Sequence, residues 1–404
     1  MREIILISFL GPDQPNQFNR MMQVLTTHQL DILDVGQAVI HNQLTLGIVV
    51  ATEQPTNAAL AMKEILLLAH NIGLSVYFKP ITFDEYKQWV REGGRTKYIV
   101  TVLSRELTAQ HLQAVTQIIS QHGFNIETVS RLSGRLAVDD DDNEQHRKAC
   151  VEFGLSGPLL DAQSLRADCL KLSTNLSIDI AVQEDNAYRR NRRLVCFDMD
   201  STLIEQEVID ELAIEAGVGD QVAAITELAM SGKLDFKQSF AARVALLKGL
   251  DTKVLEKIAQ RLTITEGTER LISTLKALGY RTAILSGGFQ YFAEVLQQKL
   301  GIDEVYANQL DIKDGLVTGE VIGQVVDGNR KAELLRELAD KQGISLQQVI
   351  AVGDGANDLP MLSIAGLGVA FRAKPLVREN ARQAISSVGL DGILYLLGVR
   401  DKDL

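Results

Sequence analysis

Two acidic residues, separated by a single residue, follow an apolar run in the segment LVCFDMDSTL. The run 194–197 predicts a buried strand that leads directly into Asp198 and Asp200. Because side chains alternate along an extended chain, the two carboxylates point the same way. Burying both is costly unless an ion pair or a bound cation compensates. Oxygen-ligated magnesium would do so and would leave one carboxylate able to attack phosphorus.

A second apolar run ends in a loop rich in glycine and acidic residues. The segment VIAVGDGANDLP contains Asp354, Asn357 and Asp358, whose oxygens suit a hard cation. The glycines at 353 and 355 permit tight turns. Each loop alone could be a generic turn between a strand and a helix. The two loops together favour a shared metal-dependent site.

Two segments between these loops could bind an anion. TAILSGG puts Ser286 and Gly287 at a third predicted strand end, where a hydroxyl and free backbone N–H groups could hold phosphate oxygens. Lys331 follows the turn VDGNR and begins a predicted helix. A lone lysine is usually a surface charge, so its significance comes from its position in this series.

The elements around these segments predict an α/β fold. From residue 194 onward, strands and helices alternate, which indicates a doubly wound, mainly parallel sheet with helices on both faces. Ligands of such sheets bind at the carboxyl ends of the strands, where each segment falls. Residues 207–263 show helical periodicity and predict an all-helical cap inserted into this domain. A hairpin is expected with its turn at Asp314 and Gly315.

The amino-terminal half repeats one architecture. The order β-α-β-β-α-β occurs twice, which predicts two ferredoxin-like domains at 1–92 and 95–185, followed by a third domain at 186–404. The segment DEYKQWVREGGRTK, with its paired glycines, is predicted to be the linker between the first two.

Composition excludes several classes of function. The chain has 404 residues and a formal charge of -11, which disfavours nucleic acid and anionic membranes as partners. Its apolar runs are too short for a signal peptide or a membrane span, so we expect a cytoplasmic protein. The three cysteines lack metal-site spacing and are expected to be buried structural thiols: Cys150, Cys169 and Cys196.

The segments DMDST, LSGG, Lys331 and GDGAND, in this order, resemble the four signature segments of the haloacid dehalogenase superfamily, and the resemblance covers residues 194–391. It implies that Asp198 forms an aspartyl-phosphate, and that Asp200 protonates the leaving alkoxide and then activates water. It also implies Mg²⁺ bound by the Asp198 carboxylate, the Asp200 backbone carbonyl and Asp354.

The resemblance further assigns the phosphate contacts and the residues around them. Ser286, Gly287 and Lys331 would hold the phosphoryl oxygens, and Asn357 would contact the substrate. Asp358 would orient Lys331 or the metal shell rather than bind the metal directly.

Within the cap, the sequence resembles the phosphoserine phosphatase family. That family has a glutamate nine residues after the nucleophile, and a phenylalanine and an arginine farther along. Here these are Glu207, Phe236 and Arg243, with Met230 at another cap position. The set suits O-phosphoserine: an acid for the ammonium, an arginine clamp for the carboxylate and apolar shielding for the carbon skeleton. Singly, each could be cap core or a solvated helix charge.

Three functions are compatible with these patterns. The first is a phosphoserine phosphatase, and the alternative is a related Mg²⁺-dependent phosphatase acting on another small phosphomonoester. The third is a catalytically silent amino-acid sensor, which is disfavoured because it would not need Asp198, Asp200, Lys331 and Asp354.

The two amino-terminal domains resemble ACT-type regulatory modules, which implies serine binding as an option and pairing of two chains into a homodimer. The turn GPDQPN could be a ligand loop containing Gly11 and Asp13, or a simple helix entry set by Pro15. The second module has LSREL at this place and lacks the glycine.

Overall fold

The computed structural model describes residues 2–92, 97–135, 147–157, 162–230 and 233–404. The chain divides into two compact units, 1–95 and 96–404. Within the described ranges, no helix is both long enough and apolar enough to span a lipid bilayer.

The first unit is a βαββαβ module followed by one further helix. Its elements are β1 (Glu3–Pro12), α1 (Gln17–Thr27), β2 (Asp31–Ile40), β3 (Gln43–Thr52), α2 (Pro55–Asn71), β4 (Ser75–Ile81) and α3 (Phe83–Glu92). The antiparallel sheet has the order β2-β3-β1-β4. Alternate residues of β1, such as Ile5 and Ile7, pack with Met21 of α1 and Ile65 of α2 in one core.

Residues 84–92 of the segment predicted to be a linker lie in helix α3, and the boundary between the two compact units falls in the same segment, after residue 95. The helix begins with a capping box. The Thr82 N–H donates to the Glu85 carboxylate at 2.8 Å, and the Glu85 N–H donates to the Thr82 hydroxyl at 3.2 Å. Gly93 and Gly94 lie outside the described residues.

The second unit opens with the same architecture. Its elements are β5 (Lys97–Ser104), α4 (Ala109–Gln121), β6 (Asn125–Arg131), β7 (Ala149–Ser156), α5 (Ala162–Leu176) and β8 (Asp179–Glu184). The sheet order, β6-β7-β5-β8, is equivalent to that of the first module, so the predicted repeat is confirmed. The division into three domains stays a prediction, because this module and the remaining sheet form one compact unit.

The rest of the second unit is a mainly parallel sheet covered by helices. Its strands are β9 (Leu194–Phe197), β10 (Arg281–Phe289), β11 (Glu304–Lys313), β12 (Leu316–Ile322), β13 (Val349–Gly353), β14 (Leu367–Phe371) and β15 (Gln383–Ile385). The order is β12-β11-β10-β9-β13-β14-β15, and β12 alone among these strands runs antiparallel. Strand β9 therefore lies in the middle, with every residue buried, and the predicted fold class is confirmed.

The helices of this part have the following bounds: α6 (Val208–Glu215), α7 (Gly219–Met230), α8 (Phe236–Ala245), α9 (Lys253–Arg261), α10 (Thr268–Ala277), α11 (Gln290–Leu300), α12 (Gly328–Lys341), α13 (Leu359–Ile364), α14 (Pro375–Asn380) and α15 (Gly392–Leu396). Short 3₁₀ helices lie at Leu346–Gln348, Ala356–Asp358 and Asp401–Asp403. Helix α12 begins three residues before Lys331 rather than at it, because the Asp327 side chain caps it by accepting from the Arg330 N–H.

Helices α6 to α9 form the inserted cap. The two chain segments that enter and leave it pair with each other, since the Glu205 N–H donates to the Thr263 carbonyl and the Thr265 N–H donates to the Leu203 carbonyl. The cap is thus attached to the sheet by a short two-stranded connection. The predicted hairpin joins β11 to β12, and both turn residues, Asp314 and Gly315, have positive φ.

Candidate active site

The two acidic residues first singled out lie where β9 ends in the centre of the sheet. Asp198 is only 5 % exposed, and its N–H donates to the Val352 carbonyl at the end of the neighbouring strand β13. Met199 turns into the core and is fully buried. The alternation therefore leaves Asp198 and Asp200 facing the same cavity, as the sequence pattern predicts.

Lys331 is a fully buried cation held between two carboxylates. Its Nζ atom lies 2.8 Å from Oδ1 of Asp198 and 2.7 Å from Oδ1 of Asp358. Burial alone would lower the pKa of Lys331, but these two carboxylates raise it above its ordinary value. Asp358 thus orients Lys331, and its other oxygen accepts from the Gly355 N–H at 2.9 Å.

The three acids at the ends of β9 and β13 could hold a cation. Carboxylate oxygens of Asp198, Asp354 and Asp358 lie within 4.8 Å of one another. Lys331 balances only one of these charges, so a divalent cation would complete the compensation. Both oxygens of Asp358 are engaged, one by Lys331 and the other by the Gly355 N–H, whereas the contacts of Asp198 with Lys331 and with the Met199 N–H both fall on Oδ1. Asp354 accepts a long hydrogen bond, 3.4 Å, from the Thr202 hydroxyl. Asp198 and Asp354 are therefore the side chains best suited to bind the cation.

Burial shapes the protonation of the acids in this site. It raises the pKa of Asp200 well above the ordinary value, and the charges of Glu207 and Asp198 add to this effect. Burial, together with Asp198 and Asp358, raises the pKa of Asp354 to about 8. Protonation of Asp200, or binding of a cation beside Asp354, would therefore reduce the repulsion between these buried negative charges.

The end of β10 brings backbone close to these acids. A Cβ atom on Gly288 would lie 2.5 Å from Oδ2 of Asp200, so the glycine allows the strand to pass beside the acid. Ser286 is fully buried, and its hydroxyl oxygen accepts from the Gly288 N–H at 2.9 Å. The Ser286 side chain therefore lies behind the cavity, while Gly287 lines it.

Asn308, on β11, ties two parts of the site together and was missed by the sequence analysis. Its amide nitrogen donates to the Gly287 carbonyl at 2.8 Å, and its amide oxygen accepts from the Val326 N–H at 2.8 Å. Asn308 is 2 % exposed. It thereby fixes the end of β10 against the segment that leads into α12 and Lys331.

The cap covers this end of the sheet and encloses a cavity of about 510 Å³. The predicted site residues that line it are Asp198, Asp200, Glu207, Phe236, Arg243, Gly287, Asp354 and Asn357. Lys331 and Ser286 lie behind it, and the side chain of Met230, the last residue of α7, is outside the described part of the structure.

Aromatic packing connects the cap to the sheet. The ring of Phe236 stacks on Phe240 with centroids 5.9 Å apart, and Phe240 packs on Phe289 at the end of β10. Phe236 also lies beside Gly287, where an added Cβ atom would be 3.1 Å from its ring. The cap residue Phe236 therefore sits directly above the backbone that faces the cavity.

Arg243 is the cationic residue of the cap that lines the cavity. Burial lowers its pKa, and the charges of Asp210, Glu207 and Asp200 partly offset this effect. Its Nε atom donates only a long bond, 3.4 Å, to the Ser239 carbonyl. Glu207, which accepts from the Ser201 hydroxyl at 2.8 Å, supplies a negative charge to the same cavity.

Several lining residues were not predicted, although they border the cavity: Ile209, Asp210, Thr226, Ala229, Phe240, Lys374, Leu376 and Val377. Most come from the cap, but the last three belong to the segment around α14. The spacing of residues in the segment around α14 does not predict a place in the site. The segment reaches the cavity only through the fold of the chain.

Comparison with known proteins places this architecture in a family. Residues 195–363 match the family model described as haloacid dehalogenase-like hydrolase, and residues 3–79 match that of the ACT domain. The solved structure of a probable phosphoserine phosphatase from Vibrio cholerae aligns with a TM-score of 0.59 and 33 % identity, over 74 % of this chain and 86 % of that one.

Curated relatives extend the likeness over nearly the whole chain. The phosphoserine phosphatase of Streptomyces coelicolor is 39 % identical over 99 % of this chain and 93 % of its own length. That of Mycobacterium tuberculosis is 38 % identical over 98 % of this chain and 93 % of its own. The chain therefore belongs to the phosphoserine phosphatase family of haloacid dehalogenase-like hydrolases, with an ACT domain at its amino terminus.

Proposed function

We propose that this protein hydrolyses O-phospho-L-serine to serine and inorganic phosphate through an aspartyl-phosphate on Asp198. One observation carries the proposal: the acids at the end of β9 and the charged cap residues Glu207 and Arg243 line the same cavity. That cavity offers a phosphate-reacting end and an amino-acid-binding end within reach of one small molecule.

In the first step, the Asp198 carboxylate attacks phosphorus and the serine alkoxide leaves. Oδ1 of Asp198 is held by Lys331 and by the Met199 N–H, each at 2.8 Å. These contacts orient the carboxylate before the substrate arrives. The charge of Lys331 also offsets the repulsion between a carboxylate and a phosphate dianion.

Asp200 is suited to move the proton. Its raised pKa favours the protonated acid, which can donate to the leaving alkoxide. In the second step the resulting carboxylate accepts a proton from the water that attacks the aspartyl-phosphate. The Val208 N–H donates to Oδ1 of Asp200 at 3.3 Å and orients it at the base of the cap.

The phosphoryl oxygens have several candidate donors. Gly287 and Asn357 line the cavity, and Lys331 stands behind Asp198. The Ser286 hydroxyl already accepts from Gly288, so its proton remains available for a phosphate oxygen.

Mg²⁺ is the cation that best suits this set of oxygen ligands. Asp198, the backbone carbonyl of Asp200 and Asp354 would hold it. When bound, it would neutralise charge between the carboxylate and the phosphoryl group. The surplus of negative charge around Lys331 supports this assignment.

The cap residues support an amino-acid substrate. Arg243 can bind the substrate carboxylate through two parallel hydrogen bonds, and Glu207 can accept from the ammonium group. Phe236 would shield the short carbon skeleton, a role that the sequence also predicts for Met230. A phosphomonoester without a carboxylate would leave Arg243 without its partner, which disfavours the alternative of a different small substrate.

The substrate assignment is tested by phosphate release in the presence of Mg²⁺. O-phosphoserine should be hydrolysed with a clearly higher kcat/KM than phosphothreonine, phosphoethanolamine or a sugar phosphate. Equal values for phosphoserine and phosphoethanolamine would refute the substrate but leave the aspartyl-phosphate chemistry standing.

The amino-terminal modules are proposed to pair two chains into a homodimer and to offer a site for serine. The ACT domain match at residues 3–79 supports a regulatory role for this half. In the first module, β1 extends through Gly11 and Pro12, and the Asp13 N–H donates to the Asn42 carbonyl, so GPDQPN is partly strand. The cytoplasmic location expected from the sequence stays a prediction.

A further inference from the structure

A second cavity lies inside the larger unit, between the second βαββαβ module and the main sheet. It has a volume of about 230 Å³. On the module side it is lined by β8 and the connector that follows, and on the other side by residues around β14 and β15. This volume is below the range of about 300 to 1,000 Å³ for drug-sized ligands and suits a smaller molecule.

Arg192, in that connector, lines the cavity and is only 5 % exposed. Its Nη2 atom donates a long hydrogen bond, 3.4 Å, to the Gln183 side chain. Its Nε and Nη1 atoms are buried and have no hydrogen-bond partner among the residues that the structure describes. Three N–H donors of one guanidinium are therefore without an acceptor.

The charge of Arg192 is also uncompensated. No acidic side chain in the described ranges lies within ion-pair distance of it, and burial lowers its pKa to about 10. Arg189, three residues earlier and equally buried, shows the usual arrangement: it pairs with Glu152, and its Nη1 atom lies 3.9 Å from Asp185. A buried charge without such a partner costs several kcal/mol.

Most of the remaining charged residues of the cavity have the same sign as Arg192. Arg166 of α5 and Arg382, directly before β15, also line it, and Glu184 is the acidic residue at its wall. Three arginines face one glutamate, so the cavity carries a net positive charge and favours an anion. Tyr98 and Gln383 add polar side chains to the wall.

We propose that this cavity is a binding site for a small organic or inorganic oxyanion, whose carboxylate or phosphate oxygens accept hydrogen bonds from Arg192. The site is separate from the catalytic cavity, with which it shares no lining residue among those described. An oxyanion beside the guanidinium would neutralise the buried charge and offer acceptor oxygens to its N–H groups.

The test uses the whole 404-residue chain and two variants, Arg192→Met and, as a matched control, the exposed neighbour Arg193→Met. Thermal unfolding is followed at constant pH and ionic strength while inorganic phosphate, acetate or glycine replaces chloride. Phosphate bound in the catalytic cavity should raise the Tm of all three proteins equally, so it does not affect the difference between them. A response to phosphate alone would identify a phosphate site, and a response to acetate or glycine a carboxylate site.

We expect at least one probe to raise Tm in the wild type and in Arg193→Met, with about tenfold or greater loss of apparent affinity in Arg192→Met. Without added oxyanion, Arg192→Met should be as stable as the wild type or more so, because it removes an uncompensated charge. Identical responses of all three proteins to every probe would show a water-filled cavity and overturn the proposal. So would a fall in Tm or a loss of folding in Arg192→Met, which would reveal a structural partner.

Discussion

The Nζ atom of Lys331 lies 2.8 Å from Oδ1 of Asp198, and both side chains are buried. This contact joins the first turn of α12 to the end of β9. It turns a pair of acids that would repel a phosphate into a site that can accept one, because the ammonium charge stands directly beside the proposed nucleophile.

Replacing Lys331 with methionine should therefore lower kcat for phosphoserine by about 10²-fold or more, since a preorganised charge is lost where phosphate charge develops. The metal-free variant should also unfold at a lower temperature, because Asp198 and Asp358 lose their shared cation. Lys341→Met, an exposed lysine on the same helix paired with Glu304, is the matched control. Equal kcat values for the two variants would show that Lys331 does not contribute to catalysis.

Arg243→Ala should reduce kcat/KM for phosphoserine much more than for phosphoethanolamine, which has no carboxylate. The loss of a charge-assisted contact in an enclosed site costs about 2 to 4 kcal/mol, or roughly 30- to 1,000-fold. Arg261→Ala serves as the control, because this cap arginine pairs with Glu211 and Glu215 and does not line the cavity. If both substrates lose activity equally, Arg243 does not bind the carboxylate.

Gly288→Ala tests the close passage of β10 beside Asp200. The added Cβ atom would meet Oδ2 of Asp200 at 2.5 Å and displace the carboxyl group that moves the proton. We expect kcat to fall by about 10²-fold, as for a catalytic group misplaced by about 1 Å. Tm should fall as well, because the added Cβ also meets the buried Cε atom of Met199 at 2.8 Å. Gly36→Ala, where an added Cβ has nothing within 4 Å, should leave kcat unchanged. Wild-type turnover by Gly288→Ala would show that the position of Asp200 is not critical.

The parts of this site that could be predicted from the sequence are the residues that directly follow a buried strand. The runs before Asp198 and Asp354 are short, wholly apolar and followed at once by acids, so a buried strand and a polar loop follow directly. In a parallel sheet the carboxyl ends of neighbouring strands share one edge, so the meeting of the two acids was also predictable.

Contacts between distant segments could not be predicted in this way. Asn308 has no local pattern that marks it as the link between Gly287 and Val326. Helical periodicity shows which side of the cap is apolar, but not that Asp210 points into the cavity. The segment around α14 reaches the site only because the chain passes through β14 first.

The attachment of the second βαββαβ module to the catalytic part is another such long-range contact. Arg105 donates to both oxygens of Glu266, at 2.6 and 2.5 Å, and Glu266 follows the segment that leaves the cap. The Arg105 guanidinium is the main cause of a pKa of about 2 for Glu266, and the charges of Lys148 and Arg372 add to the effect. The folded-state pKa of Glu266 is depressed, so its contribution to stability is complete above pH 4.5 and is lost as the pH falls toward 2.

Arg105→Met should therefore lower the urea midpoint by a constant amount between pH 7 and pH 5, and by a shrinking amount below pH 4.5. The exposed Arg336→Met on α12 should show no such trend. A difference between wild type and Arg105→Met that stays constant down to pH 3.5 would mean that the Arg105–Glu266 pair does not stabilise the fold.

The central claim is that Asp198 becomes covalently phosphorylated by phosphoserine, and mass spectrometry after rapid acid quenching tests it directly. Wild-type protein mixed with excess phosphoserine and Mg²⁺ should carry one phosphoryl group on the peptide that contains Asp198. Asp198→Asn should stay folded, carry no such group and release no phosphate. A phosphoryl group on another residue, or phosphate release by Asp198→Asn above a trace, would contradict the account.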